Sequence, residues 1–348
     1  MRHSRSRSAR RAVLGVTLVL ATVAAGCSGG EGDGDGGDAR SITVYSGRAA
    51  SLVGPLLERF TEETGIEVEV RNGDSGELAA QIITEGDASQ ADVFFSQDAG
   101  ALGALADAGL LDTLPAATLG AVPERFRATD DTWVGTSGRA RVLVYDPAQV
   151  SELPAGIDDL LDPAWTAEIG YAPSNASWQS FVTALRVLRG EDGARTWLEG
   201  FAALEPKAYE NNIAVRDAVD EGQIAMGLIN HYYLFEKIAT DGAANVSAKL
   251  HFFAGGDPGG LVNVAGVGIL KSSDAEADAQ RLVDFLLSAE SQRYFADETF
   301  EYPVVEGVPA NDAVPPLAEL DPPTIDLADL RSIQTTQELL ADVGLLTR

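Results

Sequence analysis

From Ser41 to Ala108, strand-like and helix-like segments alternate three times, and this constrains the fold more than any other feature of the chain. Ile42-Thr43-Val44-Tyr45-Ser46 reads as a strand and Ala49 to Thr64 as an amphipathic helix closed by Gly65. Ile66 to Arg71 and Ala91 to Phe95 are the next strands, with helices over Gly76–Glu85 and Ala99–Ala108. Parallel strands need a long crossover, usually a helix, so the repeat predicts a doubly wound parallel sheet.

A second α/β unit follows a long extended segment, Trp133 to Tyr145. It has strands at Ile169-Gly170-Tyr171, Ile224–Ile229 and Lys249–Phe253, and helices at Trp178–Leu188, Ala194–Ala203, Ile213–Glu221 and Leu234–Ala239. Asn263 to Leu270 returns to the first unit; helices follow at Ala275–Leu287 and Ala289–Asp297, and a Pro-rich stretch leads to a last helix at Ser332–Val343. The expected class is α/β, two doubly wound domains joined by extended hinge crossings. Domain 1 is 41–138 with 263–313, and domain 2 is 139–262 with 314–348. Two such domains make a clamp with a ligand in its cleft.

Asn230-His231-Tyr232-Tyr233 lies at a strand-to-helix junction, where open α/β sheets place ligands. Adjacent side chains diverge on a regular strand or helix, so two neighbouring phenols can face one point only where an element begins or ends. Phenolate is a hard anionic donor suited to a highly charged cation, and Fe3+ is the candidate it implies. The alternative is that both rings simply pack.

The first 26 residues read as a signal peptide: Arg2, Arg5, Arg7, Arg10 and Arg11 precede an apolar run from Ala12 to Ala25. Val23-Ala24-Ala25-Gly26-Cys27 resembles a lipobox, making Cys27, the sole cysteine, a lipidation site. Residues 27–40, rich in Gly, Asp, Glu and Ser, read as a flexible tether to the outer face of the cytoplasmic membrane. With 53 acidic against 25 basic residues, a formal charge of −28, nucleic acid is excluded as a partner. No nucleophilic cysteine, Walker or dinucleotide pattern points to an enzyme.

Several ordered stretches carry a resemblance. They are Val44-Tyr45-Ser46-Gly47-Arg48, Ala91-Asp92-Val93-Phe94-Phe95-Ser96, Ser137-Gly138-Arg139-Ala140-Arg141-Val142, Ile169-Gly170-Tyr171-Ala172-Pro173, Asn230-His231-Tyr232-Tyr233, Asp257-Pro258-Gly259 and Leu270-Lys271-Ser272-Ser273. From Ile42 onward the chain resembles the ferric-ion-binding proteins of bacterial iron ABC importers, a branch of the type 2 periplasmic binding proteins.

The resemblance implies a monomeric binding protein that passes Fe3+ to an ABC permease, with Tyr232 and Tyr233 as tyrosinate ligands and Tyr145 as a third. Ala49 and Gln97 stand where many members carry a metal-binding histidine and glutamate, so the implied site is the three-tyrosine kind completed by carbonate. Arg48, Ser137, Gly138 and Arg139 are the expected anion donors, and Gln97, Asn175 and Asn230 secondary cleft residues. Alternatives stay open: Arg139 and Arg141 as surface charges, Asp98 as an exposed helix N-cap, His231 as a surface residue or one behind the ligands. The same clamp could instead carry a small anion or organic ligand of phosphonate, thiamine or polyamine type.

Overall fold

The computed structural model describes residues 40–346. The signal peptide, Cys27 and the tether up to residue 39 lie outside the described residues.

The first unit runs β1 (Ser41–Ser46), α1 (Ala50–Thr64), β2 (Glu67–Asn72), α2 (Ser75–Glu85), β3 (Val93–Ser96), α3 (Ala99–Asp107) and a short α4 (Ala116–Gly120). Gly65 ends α1 in the left-handed conformation, φ 70°, with its N–H returned to the Thr61 carbonyl. Asp74 and Asp98 start α2 and α3 by accepting from Gly76 and Ala101 backbone N–H groups. These caps fix where each strand stops and each helix starts, and so which loops face the cleft.

β4 (Val134–Tyr145) is the extended crossing. The second unit comprises β5 (Ile169–Tyr171), α5 (Ala176–Ala203), β6 (Lys207–Ala208), α6 (Asn212–Asp220), β7 (Met226–Asn230), α7 (Tyr232–Asp241) and β8 (Lys249–His251). The two helices expected between residues 178 and 203 are the arms of α5, broken at Gly190, whose φ of 75° and ψ of 169° are not helical. β9 (Val262–Ile269) then returns, followed by α8 (Glu276–Leu286), α9 (Ala289–Asp297), β10 (Tyr302–Pro303) and α10 (Ile333–Asp342).

Among the described residues the strands form one sheet ordered β2-β1-β3-β9-β4-β7-β5-β6, with β8 and β10 also paired to β4. The flanks hold the expected parallel sets: β1 with β2 and β3, β5 with β6 and β7. The centre is antiparallel, because β4 and β9 run against each other and against their flanks. β4 changes partner part-way: Val134 to Ala140 pair with β9, and Arg141 to Tyr145 with β7. One strand thus bridges the two parallel flanks of the sheet.

Two cores lie on the sheet. The larger runs from the β1–β3 layer through β4 and β9; the smaller is aromatic, with Trp197 and Phe201 stacked at 5.2 Å and Trp178, Phe181 and Tyr171 around them. Near the C-terminus, residues 327–331 pack against both α3 and α5.

Candidate metal and anion site

β7 ends at Asn230, His231 is the N-cap of α7, and Tyr232 and Tyr233 are its first two residues. At that position the rings do converge: their centroids are 4.2 Å apart at 36°. Tyr232 is fully buried and Tyr233 is 7% exposed. His231 locks the junction. Its Nδ1 accepts from the Ala140 N–H at 3.2 Å, its Nε2 donates to the Phe300 carbonyl at 2.9 Å, and its ring stacks on Tyr302 at 4.8 Å. Burial pushes its pKa down to about 4, in keeping with a neutral ring whose nitrogens are both engaged. His231 is therefore not a surface residue; it positions the tyrosine pair from behind.

Across a cavity of about 440 Å³ stand the loops that follow β1, β2 and β3, contributing Arg48, Ala49, Asp74 and Gln97. The facing wall contributes Asn175, Asn211, Tyr232 and Tyr233. All these loops sit at the carboxyl ends of parallel strands, the usual ligand position in such sheets. Gly47 is required there, since a Cβ would fall 1.9 Å from Ser75 Oγ. That same hydroxyl accepts from the Gln97 N–H at 2.9 Å, so three loops are tied together.

Behind the cavity lies a buried charge cluster. Arg48 Nη2 donates to Glu301 Oε2 at 2.5 Å, and Arg139 Nη1 is 3.6 Å from Glu301 Oε1. Both guanidiniums are almost fully buried, and neither Arg139 Nη atom has an acceptor among the described residues. Burial and neighbouring Arg48 lower the Arg139 pKa; burial also works to lower that of Arg48, but Glu301 together with Tyr232 and Tyr233 more than offsets it, and the net shift is upward. The Tyr232 hydroxyl likewise has no hydrogen-bond partner among the described residues. Burial and Tyr233 raise its pKa well above the usual phenol value, with Arg48 and Arg139 pulling the other way. Without a metal, Tyr232 is a neutral, buried phenol. Leaving such a hydroxyl unsatisfied costs about 1–3 kcal/mol, which a ligand at that oxygen would recover.

The structure does not bring all the expected residues together. Tyr145 lies opposite Met226 on β7, whereas Arg141 lies opposite Asn230 beside the tyrosine pair. Four strand residues, about 13 Å, separate those positions. Tyr145 packs instead against the aromatic core and pairs with Lys249, so the expectation of a third tyrosine ligand there is corrected.

Ser137 and Gly138 are buried between β9 and β10 and do not line the open cavity. Ser137 Oγ has no hydrogen-bond partner among the described residues, and Gly138 leaves only 3.2 Å between a Cβ and that of Tyr302. Gln97 and Asn175 do reach the cavity. Asn175 caps α5, and its Oδ1 is taken by Ser177 and Asn212. Asn230 is buried behind the pair, with its Nδ2 unpartnered among the described residues.

The surface reading of Arg139 and Arg141 also fails. Arg141 is 2% exposed, donates to Ser177 Oγ and the Leu228 carbonyl, and lies over Trp178 and Phe181. Asp98 caps α3 as expected but is buried rather than exposed, which raises its pKa while Arg139 pulls it down. Glu301 was missed by the sequence reading. It lies 253 residues from Arg48, and nothing in Phe300-Glu301-Tyr302 marks it locally.

A family model described as bacterial extracellular solute-binding protein matches residues 88–329. The chain is 35% identical over 338 residues to the Fe(3+)-binding periplasmic protein of Serratia marcescens, covering 96% of this chain and 97% of that one. It is 36% identical over 311 residues to the major ferric iron-binding protein of Neisseria meningitidis serogroup B, covering 87% and 93%. Iron-bound HitA from Pseudomonas aeruginosa superposes with a TM-score of 0.84 at 37% identity, covering 88% of this chain and 100% of that one.

Proposed function

From the premise that this chain belongs to the bacterial extracellular solute-binding protein family, with the type 2 periplasmic binding fold, we propose that it captures iron(III) in its cleft and delivers it to an ABC permease. Tyr232 and Tyr233 bind the ion as tyrosinates. The observation that carries this reading is the fully buried Tyr232 hydroxyl, unpartnered among the described residues, beside a second phenol and within the field of Arg48 and Arg139. Two phenolates leave one positive charge on Fe3+. With Ala49 and Gln97 on the facing wall and Tyr145 elsewhere, the other coordination positions fall to Gln97, water and an exogenous carbonate-type anion.

Arg48 and Arg139 are the cationic seat for that anion; fork-shaped guanidinium donors suit a planar, bidentate oxyanion. Residues 41–138 with 263–313 form one jaw and 139–262 with 314–348 the other, flexing about β4 and β9. Cys27 carries a lipid that holds the monomer at the outer face of the membrane, near its permease.

The test is a visible spectrum of stripped protein given ferric citrate and bicarbonate. A tyrosinate-to-iron charge-transfer band is expected, and Tyr232→Phe with Tyr233→Phe abolishes it. A folded protein without the band overturns the iron reading. Cargo would then be a small oxyanion, held at the cavity by Arg48 with Arg139 behind it.

A further inference from the structure

His231 is fully buried where the chain passes between the two jaws. β4 changes partner there: Ala140 lies opposite Val262 of β9, and Arg141 opposite Asn230 of β7. His231 holds Ala140 twice, its own N–H donating to the Ala140 carbonyl at 3.0 Å and its Nδ1 accepting the Ala140 N–H. Its Nε2 donates at 2.9 Å to the carbonyl of Phe300, in the opposite jaw of the division proposed above. The ring stacks on Tyr302 of that same jaw. The Tyr302 hydroxyl in turn donates at 2.8 Å to the Pro315 carbonyl, just past the third passage between the jaws. All three passages meet around one imidazole.

That imidazole also sets the start of the helix that carries the tyrosines. α2, α3, α5 and α6 each begin with an Asp or Asn side chain that accepts from the first turn. α7 has no side-chain cap, and both ring nitrogens of His231 are engaged elsewhere. Tyr232 and Tyr233 are therefore placed by the contacts of His231 rather than by a local lock. Phe235, in the same first turn, stacks on Phe300 at 6.1 Å, so α7 grips Phe300 by both carbonyl and ring. Phe300 has φ 55°, a left-handed conformation that a residue with a side chain adopts at a cost.

The bonds to Ala140 continue the sheet ladder and survive a rotation about it, whereas the bond to Phe300 spans the jaws. Tyr302 pairs with Gly138, two residues or about 7 Å from Ala140. That is near enough to the pivot to stay within reach, yet far enough for a rotation to part a 2.9 Å bond. We propose that His231 is a positioning residue whose bond to Phe300 forms as the jaws close, setting the first turn of α7 in the arrangement that grips iron. Closing then tightens the tyrosine pair, and opening loosens it. The coupling rests on the iron reading given above.

The experiment loads the full chain with Fe3+ and reads the charge-transfer band, the radius of gyration by small-angle scattering, and the rate of iron loss to citrate. His231→Asn keeps an acceptor for the Ala140 N–H but is too short to reach Phe300; His231→Gln restores a donor at the reach of Nε2. Wild type is expected to show the band and to become more compact with iron. His231→Asn is expected to show the band at saturating iron, to lose the compaction, and to release iron faster by on the order of tenfold. His231→Gln is expected to compact and to release iron within about threefold of the wild-type rate. A His231→Asn protein that compacts and releases iron like wild type overturns the proposal, and so does a His231→Gln protein no better than His231→Asn. A role confined to folding would lower the melting temperature without separating band from compaction. Amide exchange over residues 300–304 of wild type needs no variant to fold. Iron is expected to slow it by on the order of tenfold, and equal rates overturn the proposal. Absence of the band in wild type breaks the iron reading and the coupling with it; a band with unaltered compaction in His231→Asn breaks the coupling alone.

Discussion

The two walls of the cleft are built from similar parts and do opposite things. On the wall that carries α7, a strand ends and two phenols stand on the first turn of a helix, their rings 4.2 Å apart. On the facing wall, three strand ends carry Arg48, Ala49, Asp74 and Gln97, so a methyl group and an amide stand where the family resemblance implies a histidine and a glutamate. One wall offers two phenols; the other brings the Arg48 guanidinium. On this reading the metal is gripped by one jaw, and the second closes on it through an anion rather than through its own ligands. A site divided in this way releases its cargo when either the phenolates are protonated or the anion is lost.

Breaking the donor wall has the largest expected effect. Tyr232→Phe or Tyr233→Phe alone should weaken iron binding by roughly a hundredfold or more, since even residues behind a metal's ligands are worth 10–100-fold; competition with citrate measures it. A loss below about threefold would mean the pair is not the ligand set.

Acid acts on the same wall. Burial raises the Tyr232 pKa, so its phenol is protonated in the metal-free protein, and binding must release that proton. Affinity therefore falls as pH falls, by about tenfold per pH unit for each phenol deprotonated, or roughly a hundredfold for two. Iron titrations at two pH values read the slope directly, and a flat profile excludes phenolate ligation.

The facing wall can be given a ligand. Ala49→His places an imidazole at the cavity edge and should tighten iron binding about tenfold while lessening the need for bicarbonate. If the facing wall is truly ligand-free, its acid should not matter to iron. Asp74→Asn is expected to leave iron affinity within about threefold.

The same substitution has a stability consequence. Burial raises the Asp74 pKa to about 6, above its ordinary value, so the folded state holds a proton that the unfolded chain gives up. The charged form is therefore destabilising above that range. Asn, which can still accept from the Gly76 N–H, should stabilise the protein at pH 7 by about 1–2 kcal/mol, and the gain should vanish below pH 4. Thermal melts at the two pH values check the sign. The smallest effect is expected for Tyr145→Phe, at the far end of β4 from the tyrosine pair: iron affinity unchanged within about twofold, and stability within about 1 kcal/mol.

Much of this was legible in the sequence, because much of it is local. The alternation of strands and Gly-closed helices follows from residue periodicity within short windows, and Gly65 ends α1 where its position requires. The Tyr232-Tyr233 pair could be placed at a strand-to-helix junction, where neighbouring rings converge, from its flanking runs alone. Tertiary structure decided what depends on register and burial. Tyr145 and Arg141 are close in sequence, yet pairing with β7 puts one at the cleft end and the other about 13 Å away. Asp98, Arg139 and Arg141 look like surface charges in so acidic a chain, but the strands and helices packed over them bury all three. Glu301 has no local signature, since its meaning comes from Arg48 and Arg139, brought to it from far along the chain. Short-range sterics and periodicity can be read from a sequence; a buried charge is defined by its partners, and only the folded chain chooses them.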